Sequence, residues 1–368
     1  MRDIEYMQRA IEWAKKGCGF VNPNPMVGAV IVKDDQIIGQ GWHESYGQLH
    51  AERNALSRCQ QSPQGATLYV TLEPCCHYGK TTPCTEAIIK SGIKRVVIGS
   101  RDPNPLVGGK GIEVLRHHHI EVVENVLKKE CDGLNEVFFH YIKTGLPLVV
   151  MKYAMTMDGK IATHTGESKW ITGEIARQKV QEDRRRFSAI MVGIGTVIAD
   201  DPLLTCRLEN SKNPLRIICD THMRTPLISQ IILTAKDVPT LIATCCEDTQ
   251  KQKLYRDAGC QIILTPKKQN HIDLKFLMEV LGKQKVDSIL LEGGGTLNWS
   301  ALDSRIVNKV HTYIAPKLFG GSNSKTPVEG PGVESPSDSF FLNTCQMTKL
   351  GQDILIESEV LYNVHGNC

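Results

Sequence analysis

Four residues in the first quarter of the chain could do hydrolytic chemistry together: His50 and Glu52 in His50-Ala51-Glu52, Cys75 after Pro74, and Cys84. One imidazole and two thiolates make three zinc ligands. They leave the fourth tetrahedral position open to water, as in a catalytic rather than a structural site. Zinc lowers the pKa of such a water to about 7, which supplies hydroxide at neutral pH. Glu52 stands two residues from the first ligand and need not bind metal. A carboxylate there can take the water's proton and hand it to a departing amine. Cys84 is predicted to open a helix, whose N-terminus would favour the thiolate and lower its pKa.

A histidine and glutamate at this spacing mean little alone; the proline–cysteine pair and the later cysteine give them weight. Cys76 and His77 adjoin a ligand, and adjacent side chains rarely converge on one metal, so both read as loop residues. His117-His118-His119 reads as a solvated helix end. Asn22-Pro23-Asn24-Pro25 is a turn by composition, although an asparagine there also offers a donor and an acceptor to a pyrimidine edge.

Positioning these groups requires alternating strands and helices. Residues 1–16 carry Ile4, Met7, Ile11 and Ala14 at helical spacing, an amphipathic helix rather than a leader. Val27–Val32, Thr67–Leu72 and Arg95–Gly99 read as strands, with helices at His50–Arg58, Thr85–Lys90 and Gly111–His118 and a further strand at Ile120–Val123. A helix over Cys131–Lys143 ends near Gly145 and Pro147, a domain junction. A second α/β series follows. Strands are expected at Leu148–Tyr153, Ala189–Val192, Arg216–Cys219, Leu241–Thr244, Gln261–Leu264, Ser288–Leu291 and Val310–Ile314, and helices at Thr172–Arg185 and Leu274–Leu281. Gly320–Pro336 is a loop rich in Gly, Ser and Pro.

The 368 residues suit two domains, 1–145 and 146–368. A net charge of +3 implies no nucleic-acid or membrane partner. No run approaches the roughly 18 apolar residues of a span. Thirteen cysteines, an odd number, read as reduced thiols or metal ligands, and the expected location is cytoplasmic. A homo-oligomer is expected.

In the second half, Gly293-Gly294-Gly295 follows an apolar run and precedes a helix over Thr296–Leu302. Such a turn exposes backbone N–H groups to a phosphate, though alone it is more often a simple tight turn. No GxGxxG fingerprint is present, so a doubly wound dinucleotide domain is not supported.

The strings NPNPMVGAVIV, GWHESYG, HAERNAL, LEPCCHYGKTTPC and RDPNPLVGGKGI closely resemble the deaminase half of the bifunctional riboflavin-biosynthesis deaminase–reductase family. KYAMTMDGKIA, GESKWITG, VGIGTVIADDPLLTCR and LEGGGTLN resemble its reductase half. The long interval between Cys75 and Cys84 makes the match specific; Thr82 departs from the proline expected there. The resemblance implies a cytidine-deaminase-like zinc domain followed by a dihydrofolate-reductase-like domain. It implies loss of a ring amino group from a phosphoribosylaminopyrimidine, then reduction of its ribosyl group by NADPH. His50, Cys75 and Cys84 match the zinc ligands and Glu52 the proton shuttle. Asn24, His43 and Lys80 are the expected contacts to the deaminase substrate. Ala154, Trp170, Thr196, Asp200, Thr221, Gly294, Gly295, Thr296, Leu297 and Asn298 match NADP positions, within a stretch that runs on to Ser300. Ser168, Arg184, Leu204, Arg207 and Glu292 match reductase substrate positions. Arg184 and Arg207 can each fork onto a phosphate, and Glu292 can accept from sugar hydroxyls.

Two other readings remain. A nucleotide or nucleic-acid deaminase with an unrelated C-terminal domain would neither bind NADPH nor need the long cysteine spacing. A non-catalytic protein on this scaffold would typically have lost Glu52 or a ligand.

Overall fold

A computed structural model describes residues 2–78, 82–104 and 107–362, and the chain divides into two compact units, Met1–Gly145 and Leu146–Cys368. In chain order the first unit contains α1 (Arg2–Lys15), β1 (Gly28–Lys33), β2 (Gln36–Trp42), α2 (Ala51–Ser57), β3 (Thr67–Leu72), α3 (Cys84–Lys90), β4 (Arg95–Ser100), α4 (Lys110–His117), β5 (Glu121–Val123), α5 (Lys128–Leu134) and α6 (Glu136–Thr144). Its sheet runs β2-β1-β3-β4-β5, antiparallel at β2-β1-β3 and parallel at β3-β4-β5.

The sheet is covered on both faces, and the two-residue period of its strands shows how. Ala29, Ile31, Leu68, Val70, Val96 and Ile98 face α2, α3 and α4 through Ala51, Ala55, Ile88, Ile112 and Leu115. Their neighbours Val30, Val32, Tyr69 and Val97 face Met7, Ala10 and Ile11 of α1 and Cys131 of α5. Double coverage explains why β1 and β3 read as apolar runs rather than alternations. Ile4, expected on the buried stripe of α1, is 54% exposed, and Ala10 completes the stripe instead.

Sequence reasoning missed β2. The turn before it is Asp34-Asp35, with φ values of 47° and 63°, the two left-handed residues of a tight hairpin normally signalled by Asn-Gly or Asp-Gly. The single helix expected over Cys131–Lys143 is two helices broken at Asn135. That side chain is buried. Its Oδ1 accepts from the Met26 N–H at 2.8 Å and its Nδ2 donates to the Met26 carbonyl at 3.0 Å, so it pairs with Met26 as a strand neighbour would. The helix yields to this clamp, which fixes the end of the Asn22–Pro25 turn.

The second unit contains β6 (Leu148–Thr156), α7 (Glu174–Arg186), β7 (Ala189–Gly193), α8 (Ile194–Asp200), β8 (Leu215–Cys219), α9 (Gln230–Leu233), β9 (Thr240–Thr244), α10 (Thr249–Asp257), β10 (Gln261–Leu264), the short pair β11 (Lys267–Lys268) and β12 (His271–Ile272), α11 (Leu274–Lys283), β13 (Ser288–Leu291), α12 (Gly295–Asp303), β14 (Lys309–Ala315), β15 (Phe341–Leu350) and β16 (Asp353–Leu361). Nine strands form one sheet, β10-β9-β8-β7-β13-β6-β14-β16-β15, parallel as far as β14 and antiparallel beyond. β13 inserts between β7 and β6, so the loops that leave their carboxyl ends surround one cleft. Ligands of open α/β sheets bind at such ends.

Removing the Asn135 amide leaves both backbone groups of Met26 without their buried partner. Asn135→Ala is expected to destabilise the first unit by about 1–3 kcal/mol, the cost of orphaned buried polar groups, and to lower deamination through the Asn22–Pro25 turn. Urea unfolding alongside ammonia release checks this; an unchanged midpoint would remove the clamp from the account.

Candidate active sites

His50 ends the approach to α2, Cys75 follows β3 by three residues, and Cys84 begins α3, so three elements bring three ligands to one point. The His50 Nδ1 lies 3.5 Å from the Cys75 Sγ and 3.4 Å from the Cys84 Sγ, and the three donor atoms all lie within 4.8 Å of one another. Tetrahedral zinc with ordinary Zn–S and Zn–N bonds separates such N and S atoms by about 3.5 Å. The donor set and its spacing therefore fit zinc. Among the described residues these three are the His/Cys/Asp/Glu group gathered closely enough to hold a metal ion, and neither Cys76 nor His77 joins them.

The Cys84 N–H donates to the Cys75 Sγ at 3.3 Å. Cys75 is pushed down to about 4, first by its hydrogen bond with Cys84, whereas that same contact and burial push Cys84 up. The lowering expected of Cys84 at a helix N-terminus is thus reversed in the metal-free protein by the second sulfur beside it and by burial. A divalent cation binds both sulfurs as thiolates, displacing any proton they carry.

Glu52 is 3% exposed and lines a cavity of about 290 Å³ beside the ligands. Burial raises its pKa, bringing it towards the range in which a carboxyl group both takes and gives a proton. Asn24 and His43 line the same cavity. His43 is almost wholly buried, its pKa lowered by burial. Its Nδ1 lies 3.0 Å from the Leu49 carbonyl, which can only accept, so Nε2 is left to accept from Asn24 Nδ2 at 3.1 Å. Both ring nitrogens are thus engaged by the protein, and the group His43 presents to the cavity is the oriented Asn24 amide. Lys80 lies outside the described residues.

Sequence reasoning missed Glu73, Asp102 and Asn104, which also line this cavity. The Glu73 carboxylate accepts from four backbone N–H groups, those of Asp102, Gly109, Gly111 and Ile112, at 3.0–3.3 Å. It thereby fixes Asp102 and the start of α4 beside Pro74 and Cys75. Gly111 is required there, because a Cβ would come within 2.2 Å of the Pro74 carbonyl. Asp102, pushed up to about 6 by burial, receives the Asn104 N–H at 2.8 Å.

In the second unit a cleft of about 750 Å³ opens at the carboxyl ends of β6, β7, β8 and β13. Thr196, Asp200, Thr221, Gly294, Gly295, Thr296, Leu297 and Ser168 line it. The Ser168 hydroxyl donates to Asp200 Oδ1 at 3.2 Å. A glycine-lined turn before α12, with Arg224 and Lys325 as cations in the walls, fits the phosphates of a nicotinamide dinucleotide.

Three positions expected to contact the cofactor lie apart from this lining. Ala154 packs with Ala176, Val180, Tyr313 and Leu355. Asn298 is wholly buried and its Nδ2 donates to the Pro327 carbonyl at 2.8 Å, so it anchors a wall. Trp170 is 58% exposed with the Arg177 guanidinium 4.7 Å from its ring centre.

Arg184 and Glu292, read as separate substrate contacts, are each other's partner. Arg184 Nε and Nη2 donate to the two Glu292 oxygens at 2.9 and 2.8 Å, and Nη1 donates to the Thr205 carbonyl at 3.1 Å. Three of the five Arg184 N–H donors are thus engaged, and one N–H on each of Nη1 and Nη2 is left for a substrate. Burial works against the Glu292 charge, but Arg184 and Lys152 hold that carboxyl down at about 2. Lys152, a residue the sequence did not single out, is opposite His311 in register and has its pKa lowered by burial. Leu204 is buried with φ 51°, and Arg207 is exposed, its backbone N–H donating to Gln181 Oε1 at 2.9 Å.

A family profile described as the RibD C-terminal domain matches residues 147–356, and one described as the cytidine and deoxycytidylate deaminase zinc-binding region matches residues 1–100. The riboflavin biosynthesis protein RibD of Actinobacillus pleuropneumoniae is 53% identical over 98% of this chain and 96% of its own. The chain belongs to the RibD family. The Escherichia coli K12 RibD is 37% identical over 97% of this chain and 99% of its own. The solved RibD of Acinetobacter baumannii superposes with a TM-score of 0.87 at 38% identity, covering 98% of this chain and 99% of that one. A Thermotoga maritima structure described as a diaminohydroxyphosphoribosylaminopyrimidine deaminase/5-amino-6-(5-phosphoribosylamino)uracil reductase gives 0.86 at 39%, with the same coverage.

As a member of this family, the chain is a bifunctional deaminase and reductase of riboflavin biosynthesis. Its fold is a cytidine-deaminase-like zinc domain followed by the RibD reductase domain, and it acts on small pyrimidine substrates. No helix among the described residues is long and apolar enough to cross a membrane.

The purified protein is expected to hold about one zinc per chain. Cys75→Ser should lose metal and deamination together. Glu52→Gln should retain zinc and lose roughly 10²–10⁴ in rate, the usual contribution of a positioned proton-transfer group. Metal analysis with an ammonia assay measures both; stoichiometric zinc in Cys75→Ser would contradict the ligand set.

Proposed function

We propose that residues 1–145 deaminate 2,5-diamino-6-(5-phosphoribosylamino)pyrimidin-4-one and that residues 146–368 reduce the ribosyl group of the resulting 5-amino-6-(5-phosphoribosylamino)uracil to ribityl, with NADPH as reductant. The observation that carries the reading is the joint presence, in one chain, of the His50–Cys75–Cys84 donor set with Glu52 in its cavity and a glycine-lined cleft in the second unit. The Thermotoga relative is described by these two activities.

Zinc held by His50, Cys75 and Cys84 supplies a Lewis acid that makes a water nucleophilic at neutral pH. Glu52 takes a proton from that water as its oxygen bonds to the amino-bearing ring carbon, and returns it to the departing nitrogen. The C–N bond breaks and ammonia leaves, so the carboxylate ends as it began. Asn24, oriented by His43, is placed to bind the pyrimidine edge, and Lys80 is assigned to the substrate.

In the second unit the cofactor provides hydride, and the chain binds and orients. Thr196, Asp200, Thr221 and the first turn of α12 hold the cofactor, with Ser168 beside the junction to the substrate. NADPH rather than NADH is favoured by Arg224 and Lys325 in the cleft walls, since an extra phosphate requires charge-assisted donors. Leu204 and Arg207 carry the substrate, and the Arg184–Glu292 pair holds the carboxylate as an oriented acceptor. Incubating the protein with the diaminopyrimidine phosphate, with and without NADPH, and identifying products by mass tests the whole reading. Loss of the amino group without NADPH and reduction only with it are expected.

Two variants sharpen the assignment. Glu52→Gln protein should still oxidise NADPH when supplied with the aminouracil phosphate; a parallel fall in both activities would refute two independent sites. With Arg184 engaged by Glu292, Arg207 is the exposed guanidinium for the substrate phosphate. Arg207→Ala should weaken that substrate by about 1.5–3 kcal/mol, the range for hydrogen bonds to charged groups, and leave NADPH affinity nearly unchanged. Equal loss for the phosphorylated and dephosphorylated substrates would show that Arg207 does not read the phosphate.

A further inference from the structure

Part of the Gly320–Pro336 stretch, which composition marks only as a loop, walls the cofactor cleft through Lys325 and Glu329. Its backbone is tied at alternate residues. The Lys325 carbonyl accepts from the Ile161 N–H at 2.9 Å, the Pro327 carbonyl from Asn298 Nδ2 at 2.8 Å, and the Glu329 N–H donates to the Gly295 carbonyl at 3.1 Å. Gly330 lies against Trp299, whose ring a Cβ would approach to 2.5 Å. The segment thus runs along α12 as a strap with a fixed backbone, and its freedom is in its side chains. Lys325 Nζ and Glu329 Oε1 pair at 3.6 Å, with the lysine side chain 67% exposed.

Glu329 occupies an unusual place for a carboxylate in an anion-binding cleft. A Cβ on Gly295, the first residue of α12, would stand 2.4 Å from Glu329 Cγ and 2.8 Å from its carboxyl carbon. The acidic group therefore lies over the first turn of the helix. Gly294, the N-cap, has no side chain to satisfy the first-turn N–H groups, which with the helix dipole favour negative charge. In the same turn Asn298 is wholly buried and its Oδ1 lacks a partner. In the protein alone Glu329 places a negative charge over this turn; with cofactor present a phosphate would do so. The two compete for one turn and for one cation.

We propose that Lys325 and Glu329 form an exchangeable ion pair that sets cofactor affinity. Glu329 holds Lys325 while the cleft is free of cofactor, and a cofactor phosphate at the first turn of α12 takes Lys325 from it. The pair re-forms as the oxidised cofactor departs, so the carboxylate favours release. This rests on the reading of the cleft as the nicotinamide dinucleotide site.

The test is calorimetric titration of the full-length, zinc-loaded protein with NADP⁺ and with inorganic pyrophosphate. It compares wild type, Glu329→Gln, Lys325→Met and the double variant. An exposed pair is a weak competitor, so Glu329→Gln is expected to tighten NADP⁺ by about two- to five-fold, and Lys325→Met to weaken it. In the Lys325→Met background the glutamate substitution should bring no gain, because the cation being exchanged is gone. Pyrophosphate should follow the same order without the nucleoside moieties. Unchanged or weaker NADP⁺ binding by Glu329→Gln, with wild type binding normally, overturns the exchange alone. A gain that persists undiminished in the double variant also overturns it. Failure of wild type to bind NADP⁺ overturns the cofactor reading, and this proposal with it.

Discussion

Central strands buried on both faces leave chemistry only at their ends, and both sites of this chain follow from that constraint. β3 is buried along almost its whole length, and so are β7 and β13. A polar group in the middle of such a strand would lose its water without gaining a partner. At the carboxyl end the backbone leaves the sheet and its unpaired groups need new partners. In the first unit the Glu73 carboxylate, one residue past β3, satisfies four N–H groups of the segment after β4, and the zinc loop begins two residues later. In the second unit the residues just past β7, β8 and β13 line the cofactor cleft.

The same constraint separates what was legible in the sequence from what was not. β3 and β13 read with the bounds the structure has, because double burial demands an uninterrupted apolar run. β15 is solvent-exposed along most of its length and carries no such run, so the C-terminal hairpin with β16 was invisible. The helix over Cys131–Lys143 looked continuous because its interruption arises from Asn135 reaching Met26, a contact between residues far apart in the chain. Local propensity cannot register such a partner.

The sites divide along the same line. Zinc coordination demands particular side chains at close quarters, so His50, Cys75, Cys84 and Glu52 announced themselves by type and spacing. Glu73 and Lys152 did not, since a buried carboxylate or amine acquires meaning only from what surrounds it. Arg184 and Glu292 were picked out by family likeness, but their bidentate pairing came from the fold alone. Asn298 likewise matched a cofactor position by family likeness, yet its amide nitrogen is engaged by the Pro327 carbonyl.

Two buried glutamates show how far surroundings outweigh residue type. Glu52 is enclosed in the deaminase cavity, and burial dominates its balance and raises its pKa. Glu292 is less enclosed, with 12% of its side chain exposed, and a bidentate guanidinium and a nearby ammonium outweigh desolvation and hold it ionised. The first is shifted towards carrying a proton, as a proton shuttle requires; the second is suited to accepting hydrogen bonds, because its ionised state is fixed. Had Glu52 been given a bidentate arginine, it would be a poor acceptor of the water's proton. Had Glu292 lost Arg184, an uncompensated carboxylate would be buried at the heart of the reductase unit. In each unit the partners of the carboxylate, rather than its identity, set its charge.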